Sequence, residues 1–151
     1  MTGSTGMTGS TGNAAGVAAL QGALAAEHAA VYGFGVAGAF LSGTAQSQAR
    51  GAWVAHQDAR DTLTAMLTGL GATPVAASPA YRLPVAVADA QSARELAAAL
   101  EDGVTRGYLG VVAVSDPALR SFGARQMQTS AGRAWVWGGS TAAFPGMPNS
   151  T

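Results

Sequence analysis

The chain has 151 residues, 48% of them hydrophobic and 11% charged, with zero net charge and no cysteine. That length and apolar content suit one folded domain with a real core and exclude a disordered chain. All eight basic residues are arginine and form no basic block, which argues against nucleic-acid binding, and without cysteine no disulfide, thiol nucleophile or Cys-ligated metal site can form.

The start is the hexapeptide MTGSTG written twice. Residues 1–12 lack the basic region and apolar stretch of a signal peptide and read as a linker-like or added tail outside the fold. The longest charge-free apolar run, Ala29 to Leu41, is shorter than the roughly 20 residues a membrane span takes. The expected setting is therefore cytoplasmic, with no membrane partner.

Four helices are predicted over residues 13–138. The first runs from Asn13 to Leu41 and carries the stripe Leu20, Leu24, Glu27, Val31, Phe34, Gly38, Leu41, at the alternating spacing of a bundle seam. Gly43 can end it and Thr44 can cap the next. The second runs to Leu70 with the stripe Ala49, Trp53, His56, Arg60, Leu63, Leu67, Leu70, closed by Gly71. Gly71 to Ala88 holds Pro74, Pro79 and Pro84 without helical period and reads as a long connection. Asp89 caps a third helix carrying Leu96, Leu100, Glu101, Val104, Tyr108 and Val111. Asp116-Pro117 starts the fourth, with the stripe Leu119, Phe122, Gln126, Thr129, Arg133 and Val136 or Trp137. Gly138-Gly139 ends it, and residues 139–151, with Phe144-Pro145-Gly146, read as an irregular tail.

Two short links make two antiparallel hairpins. The crossover between them, extended at roughly 3.3 Å per residue, could reach about 60 Å. A 27-residue helix is about 40 Å long, so the crossover can travel the length of a bundle. The predicted fold is all-α: a ferritin-like four-helix bundle, two antiparallel hairpins joined by a long crossover.

Charges on apolar stripes need a reason, since burying an unpaired one costs several kcal/mol. A di-metal carboxylate bundle uses a lone Glu on each of two helices and Glu-x-x-His on each of the other two. Glu27 and Glu101 match the lone carboxylates, and His56 matches one histidine. Trp53 stands where the second helix needs its Glu, and Gln126-x-x-Thr129 stands where the fourth needs Glu-x-x-His. With roughly half of the ligand set gone, Glu27, His56 and Glu101 are vestigial metal candidates. The expectation is a buried, mutually neutralising network of Glu27, His56, Arg60 and Glu101, with Arg125 or Arg133 approaching from the fourth helix.

Other residues read plainly. His28 lies off the stripe, at a helix flank. Asp58 and Asp61 face solvent. Gly33, Gly35 and Gly38 lie inside a helix and form no phosphate loop; they suit close helix contact, in the bundle or across a dimer. Trp135 and Trp137 are expected to pack the bundle end. Ser115 and Ser130 have no accompanying triad pattern.

The run Leu20-Gln-Gly-Ala-Leu-Ala-Ala-Glu-His-Ala-Ala-Val-Tyr-Gly resembles the first helix of a ferritin-like domain family of unknown function common in high-GC, actinobacterial genomes. Pro79-Ala-Tyr-Arg-Leu-Pro, Leu100-Glu-Asp-Gly and Ala143-Phe-Pro-Gly resemble the same family. The resemblance covers nearly everything after the N-terminal tail and implies the four-helix ferritin-like fold, without adding a reaction.

The sequence thus points to a domain with no catalytic residue set, no cofactor and no competent di-metal site, in a non-catalytic structural or interaction role. A homodimer is expected, and no protein partner is specified. The alternative is a metal-binding or oxidoreductase-like protein with a reduced site built from Glu27, His56 and Glu101.

Overall fold

The computed structural model describes residues 7–138, with side chains from residue 11 onward. Five helices follow one another: α1 (Met7–Ala39), α2 (Gly43–Gly69), α3 (Ala90–Gly107), α4 (Leu109–Ala113) and α5 (Pro117–Val136). The second and fourth long segments match the sequence reading closely. The third is broken at Tyr108, where α3 stops and the single-turn α4 begins.

α1 begins earlier than expected. The second hexapeptide copy, assigned to the excluded tail, is helical from Met7. Extending an existing helix fixes one residue per added hydrogen bond, so a Gly- and Thr-rich end can follow a strong Ala/Leu helix. A Cβ at Gly12 would lie 3.7 Å from Ser115, and one at Gly16 would lie 3.5 Å from Leu119, so this end lies near the α4–α5 link. Residues 1–6 and the C-terminal segment 139–151, including Phe144-Pro145-Gly146, lie outside the described residues.

The caps carry the boundaries. α2 is capped at Ser42, not Thr44, with no side-chain hydrogen bond; Gln46 instead donates Nε2–H to the Gly38 carbonyl at 3.3 Å. Gly71, at φ +74°, ends α2 in the left-handed conformation. There Gly71 N–H donates to Thr68 O and Ala72 N–H to Leu67 O, both at 2.9 Å. Asp89 and Ser92 form a reciprocal capping box on α3. Asp116 accepts from the Ala118 and Leu119 N–H groups ahead of Pro117.

Packing fixes the topology. α1 contacts α2, α3 and α4, while α5 packs on α3 and α4. Glu27 meets His56, and Gly38 meets Gln46, so α1 and α2 are antiparallel. Gly33 meets Leu100 while Gly107 meets Ala26, so α3 is also antiparallel to α1. α2 and α3 therefore run parallel, which requires the crossover to return along the bundle. It does so beside α1. Gln21 donates to Thr73 O at 2.7 Å and accepts from Val75 N–H at 2.8 Å. His28 donates Nε2–H to Val75 O at 3.0 Å, and the Tyr32 and Tyr81 rings lie 5.5 Å apart. The half-buried flank expected for His28 is thus a fastening point for the crossover.

Leu20, Leu24, Phe34, Leu63, Leu67, Leu96 and Val111 form the core, each contributing about 1.5–3 kcal/mol on full burial. Gly33 earns its place: a Cβ there would sit 2.5 Å from Leu100 Cδ1. Gly35 and Gly38 have nothing within 4 Å of such an atom and face outward. Trp137 is buried against Phe34, with centroids 6.2 Å apart, whereas Trp135 is exposed, contrary to expectation. Leu70 is also exposed, at the end of α2 where the chain leaves the bundle.

Candidate functional site

At mid-bundle, α1, α2 and α3 each direct one ionisable side chain into the core. Glu27, His56 and Glu101 are 1%, 1% and 0% exposed. The antiparallel α1–α2 hairpin brings Glu27 level with His56. The Leu100–Gly33 contact sets the height of α3, placing Glu101 on the other side of the imidazole.

The ring lies between the two carboxylates. Nδ1 is 2.7 Å from Glu27 Oε2, and Nε2 is 3.3 Å from Glu101 Oε1. Burial alone lowers the pKa of His56, but the hydrogen bonds and charges of Glu101 and Glu27 outweigh it and raise the value to about 9. At neutral pH His56 is an imidazolium donating one N–H to each carboxylate. Phe34 stacks on the ring with centroids 5.2 Å apart, keeping water from that face.

Glu27 is the better-held carboxylate. Its second oxygen, Oε1, accepts the Tyr108 hydroxyl at 2.8 Å. Burial, then the negative charge and hydrogen bond of Glu27, push the Tyr108 hydroxyl far above its ordinary range, so it remains a donor. Tyr108 was read from sequence only as an apolar position. Its placement seven residues after Glu101 on the same stripe was the available signal. The break between α3 and α4 falls at this residue.

Glu101 is held less completely. Arg133 Nε of α5 stands 4.0 Å from Glu101 Oε1, with the arginine side chain 32% exposed. Glu101 Oε2 is buried and has no hydrogen-bond partner among the described residues. Of the two arginines expected from the last helix, Arg133 approaches, while Arg125 is exposed.

Arg60 is not part of the cluster, contrary to the sequence expectation. Its guanidinium turns outward to its neighbour Asp61, with Nε–Oδ1 at 2.8 Å. Four residues advance a helix by about 400°, so a residue one turn after a fully buried one is rotated by about 40° toward a flank, and a long arginine stem can then carry its charge to water. Thr129 is likewise exposed, and Ser130 takes the buried position on α5. Gln126 is half-buried, as is Trp53.

These side chains do not fit a di-metal centre. Among the described residues two carboxylates and one imidazole point inward at this level, and the imidazole lies between the carboxylates instead of converging with them on one point. Among the described residues no group of three or more His, Asp or Glu side chains has metal-holding geometry. The arrangement balances charge with organic cations: His56 between two carboxylates, and Arg133 at the edge of one. No helix of the described residues is long and apolar enough to cross a membrane.

Comparison with known proteins agrees with this architecture. No curated protein matches the chain. The crystal structure of a conserved hypothetical protein, rv2844, from Mycobacterium tuberculosis is similar, with a TM-score of 0.79 and 32% identity, covering 83% of this chain and 96% of that one. Residues 19–149 match the family described as a domain of unknown function, DUF4439, and with the match spanning most of its length the chain belongs to that family.

Proposed function

We propose that the protein is a ferritin-like bundle whose interior charge is balanced by its own side chains in place of a di-metal centre, and that it serves as a non-catalytic structural or interaction domain. The observation that carries this is the His56 ring seated between Glu27 and Glu101, each ring nitrogen on one carboxylate. A bridging imidazolium satisfies both anions with charge-assisted hydrogen bonds. The half-buried indole of Trp53 and the exposed Thr129 add to the support, since neither position supplies a ligand. The reading includes a homodimer built on the outward face of Gly35 and Gly38.

Elemental analysis of the purified protein tests it. The expected outcome is no stoichiometric iron, manganese or zinc. About two metals per chain, removed by Glu27→Ala, would overturn it.

One observation favours a second reading, a metal-binding or oxidoreductase-like protein with a reduced site of Glu27, His56 and Glu101. Glu101 Oε2 is a buried oxygen with no partner among the described residues. Under that reading a single divalent ion binds, and titration with Mn²⁺ or Zn²⁺ yields a saturable signal abolished by Glu101→Gln.

A further inference from the structure

The outer face of α2 carries a pattern complementary to its own copy. Arg50, Gly51, Val54 and Asp58 are exposed, Val54 at 43%. Among the described residues neither the Arg50 guanidinium nor the Asp58 carboxylate has an ion-pair partner. Val54 stands midway between them. Arg50 precedes it and Asp58 follows it by four residues, so each lies about 6 Å along the helix and about 40° around it, on opposite sides.

One helix cannot join these two charges. They are about 12 Å apart along the axis, beyond a screening length of about 8 Å at physiological ionic strength. Two copies can. A twofold axis at Val54, perpendicular to the helix, sets α2 antiparallel to its copy, and residues equally far before and after position 54 then stand at one height. Arg50 meets Asp58 of the partner subunit, and Asp58 meets the partner's Arg50. This reciprocity is the form of an isologous contact. Val54 meets itself at the axis. A Cβ at Gly51 would have nothing within 4 Å among the described residues, and glycine adds no bulk to hold the helices apart.

The surface is continuous with the outward glycines of α1, since Gly35, Gly38, Trp53 and Arg50 line one groove. Within the fold α2 packs chiefly on α1. A foreign partner would have to bring its own acid and base at this spacing, whereas a second copy already carries both.

We propose that two copies of the chain associate through the outer face of α2, antiparallel about Val54, with two reciprocal Arg50–Asp58 ion pairs. The proposal rests on the homodimer reading and gives it a surface and an axis.

Exchanging the charges tests it, with dimer dissociation constants of the full chain read by sedimentation equilibrium. Arg50→Glu alone and Asp58→Arg alone each set like charges opposite one another and should weaken the dimer at least about tenfold. The two together restore both pairs with their signs exchanged and should return the native dissociation constant. Arg50→Glu with Glu95→Arg, exposed on α3, also restores the net charge but leaves like charges facing, and should stay weak. Circular dichroism checks that the helices are intact; should a reversal disturb them, Arg50→Gln and Asp58→Asn decide, since across a shared ion pair their effects on dissociation are not additive. A dimer indifferent to both single changes, or one that the double change fails to restore, overturns this surface and leaves the homodimer reading standing. A native chain that stays monomeric at micromolar concentration and above overturns both.

Discussion

His56 Nδ1 and Glu27 Oε2 lie 2.7 Å apart, and both side chains are 1% exposed. A buried pair of this kind stabilises little relative to a well-packed apolar pair, but losing one member strands the other. Glu27→Leu alone should cost about 3–5 kcal/mol, because it leaves the imidazolium and the Tyr108 hydroxyl without their acceptor. Glu27→Leu combined with His56→Leu should cost less than the sum of the single changes. Combined with Arg60→Leu it should simply add, since Arg60 pairs with Asp61. Urea melts of the single and double variants check all three statements.

The same pair makes stability depend on pH. The folded-state pKa of His56 is raised from 6.5 to about 9, so the native state holds a proton that the unfolded chain releases. This contribution is fully present below pH 6.5, decreases as pH rises above it, and is gone once pH has passed through about 9. At about 1.4 kcal/mol per pH unit in that window, its size is on the order of 3 kcal/mol. Melting temperatures should fall between pH 6 and pH 9, and His56→Gln should flatten that slope. An unchanged slope in the variant would assign the effect to another group.

Tyr108 holds the other oxygen of Glu27. Tyr108→Phe keeps the ring against Phe122, at a centroid distance of 5.8 Å, and removes only the donor. A hydrogen bond to a charged group is worth about 1.5–3 kcal/mol, and a loss of that size is expected. Chemical denaturation reads it directly. A loss under about 0.5 kcal/mol, the low end for an ordinary hydrogen bond, would mean that solvent reaches Glu27.

Two nearby glycines should respond in opposite directions. Gly33→Ala places a methyl 2.5 Å from Leu100 Cδ1 and should destabilise by about 1–3 kcal/mol through overpacking. Gly35→Ala meets nothing within 4 Å and should stabilise the monomer by up to about 1 kcal/mol through helix propensity. Thermal melts of the two variants, measured side by side, test whether the α1–α3 approach is as close as described.

The homodimer is tested by light scattering. Near-zero net charge favours self-association, and a dimer is expected at micromolar concentration. If the contact uses the outward face of α1, Gly35→Leu should weaken it without changing helicity. A monomer across the whole concentration range would remove the dimer.

Much of the architecture was legible because it is written in local signals. Asp89, Gly71 and the Asp116-Pro117 pair act within one turn of their own positions, so they mark helix ends wherever the helices go. The proline-rich stretch from Gly71 to Ala88 excludes helix by itself, and its length permits only a few routes, of which a return along the bundle is one. Glu27, His56 and Glu101 announced themselves because an ionisable group on an apolar stripe has nowhere else to point.

What local spacing left undetermined is rotation of each helix about its axis, and here tertiary packing decided. A stripe read from periodicity is broad enough to admit Arg60 as well as His56, or Thr129 as well as Ser130. The α1–α2 contact buried His56 and released Arg60 to Asp61, and the packing of α5 turned Ser130 inward. Tyr108 could not be assigned to the cluster from sequence, because its partner Glu27 lies 81 residues away and nothing local sets the height of one helix against another. That height comes from Leu100 filling the space left by Gly33, and from Gly107 against Ala26. The sequence by itself determined which residues were too polar to be buried alone; close packing between distant helices determined which of them share a proton.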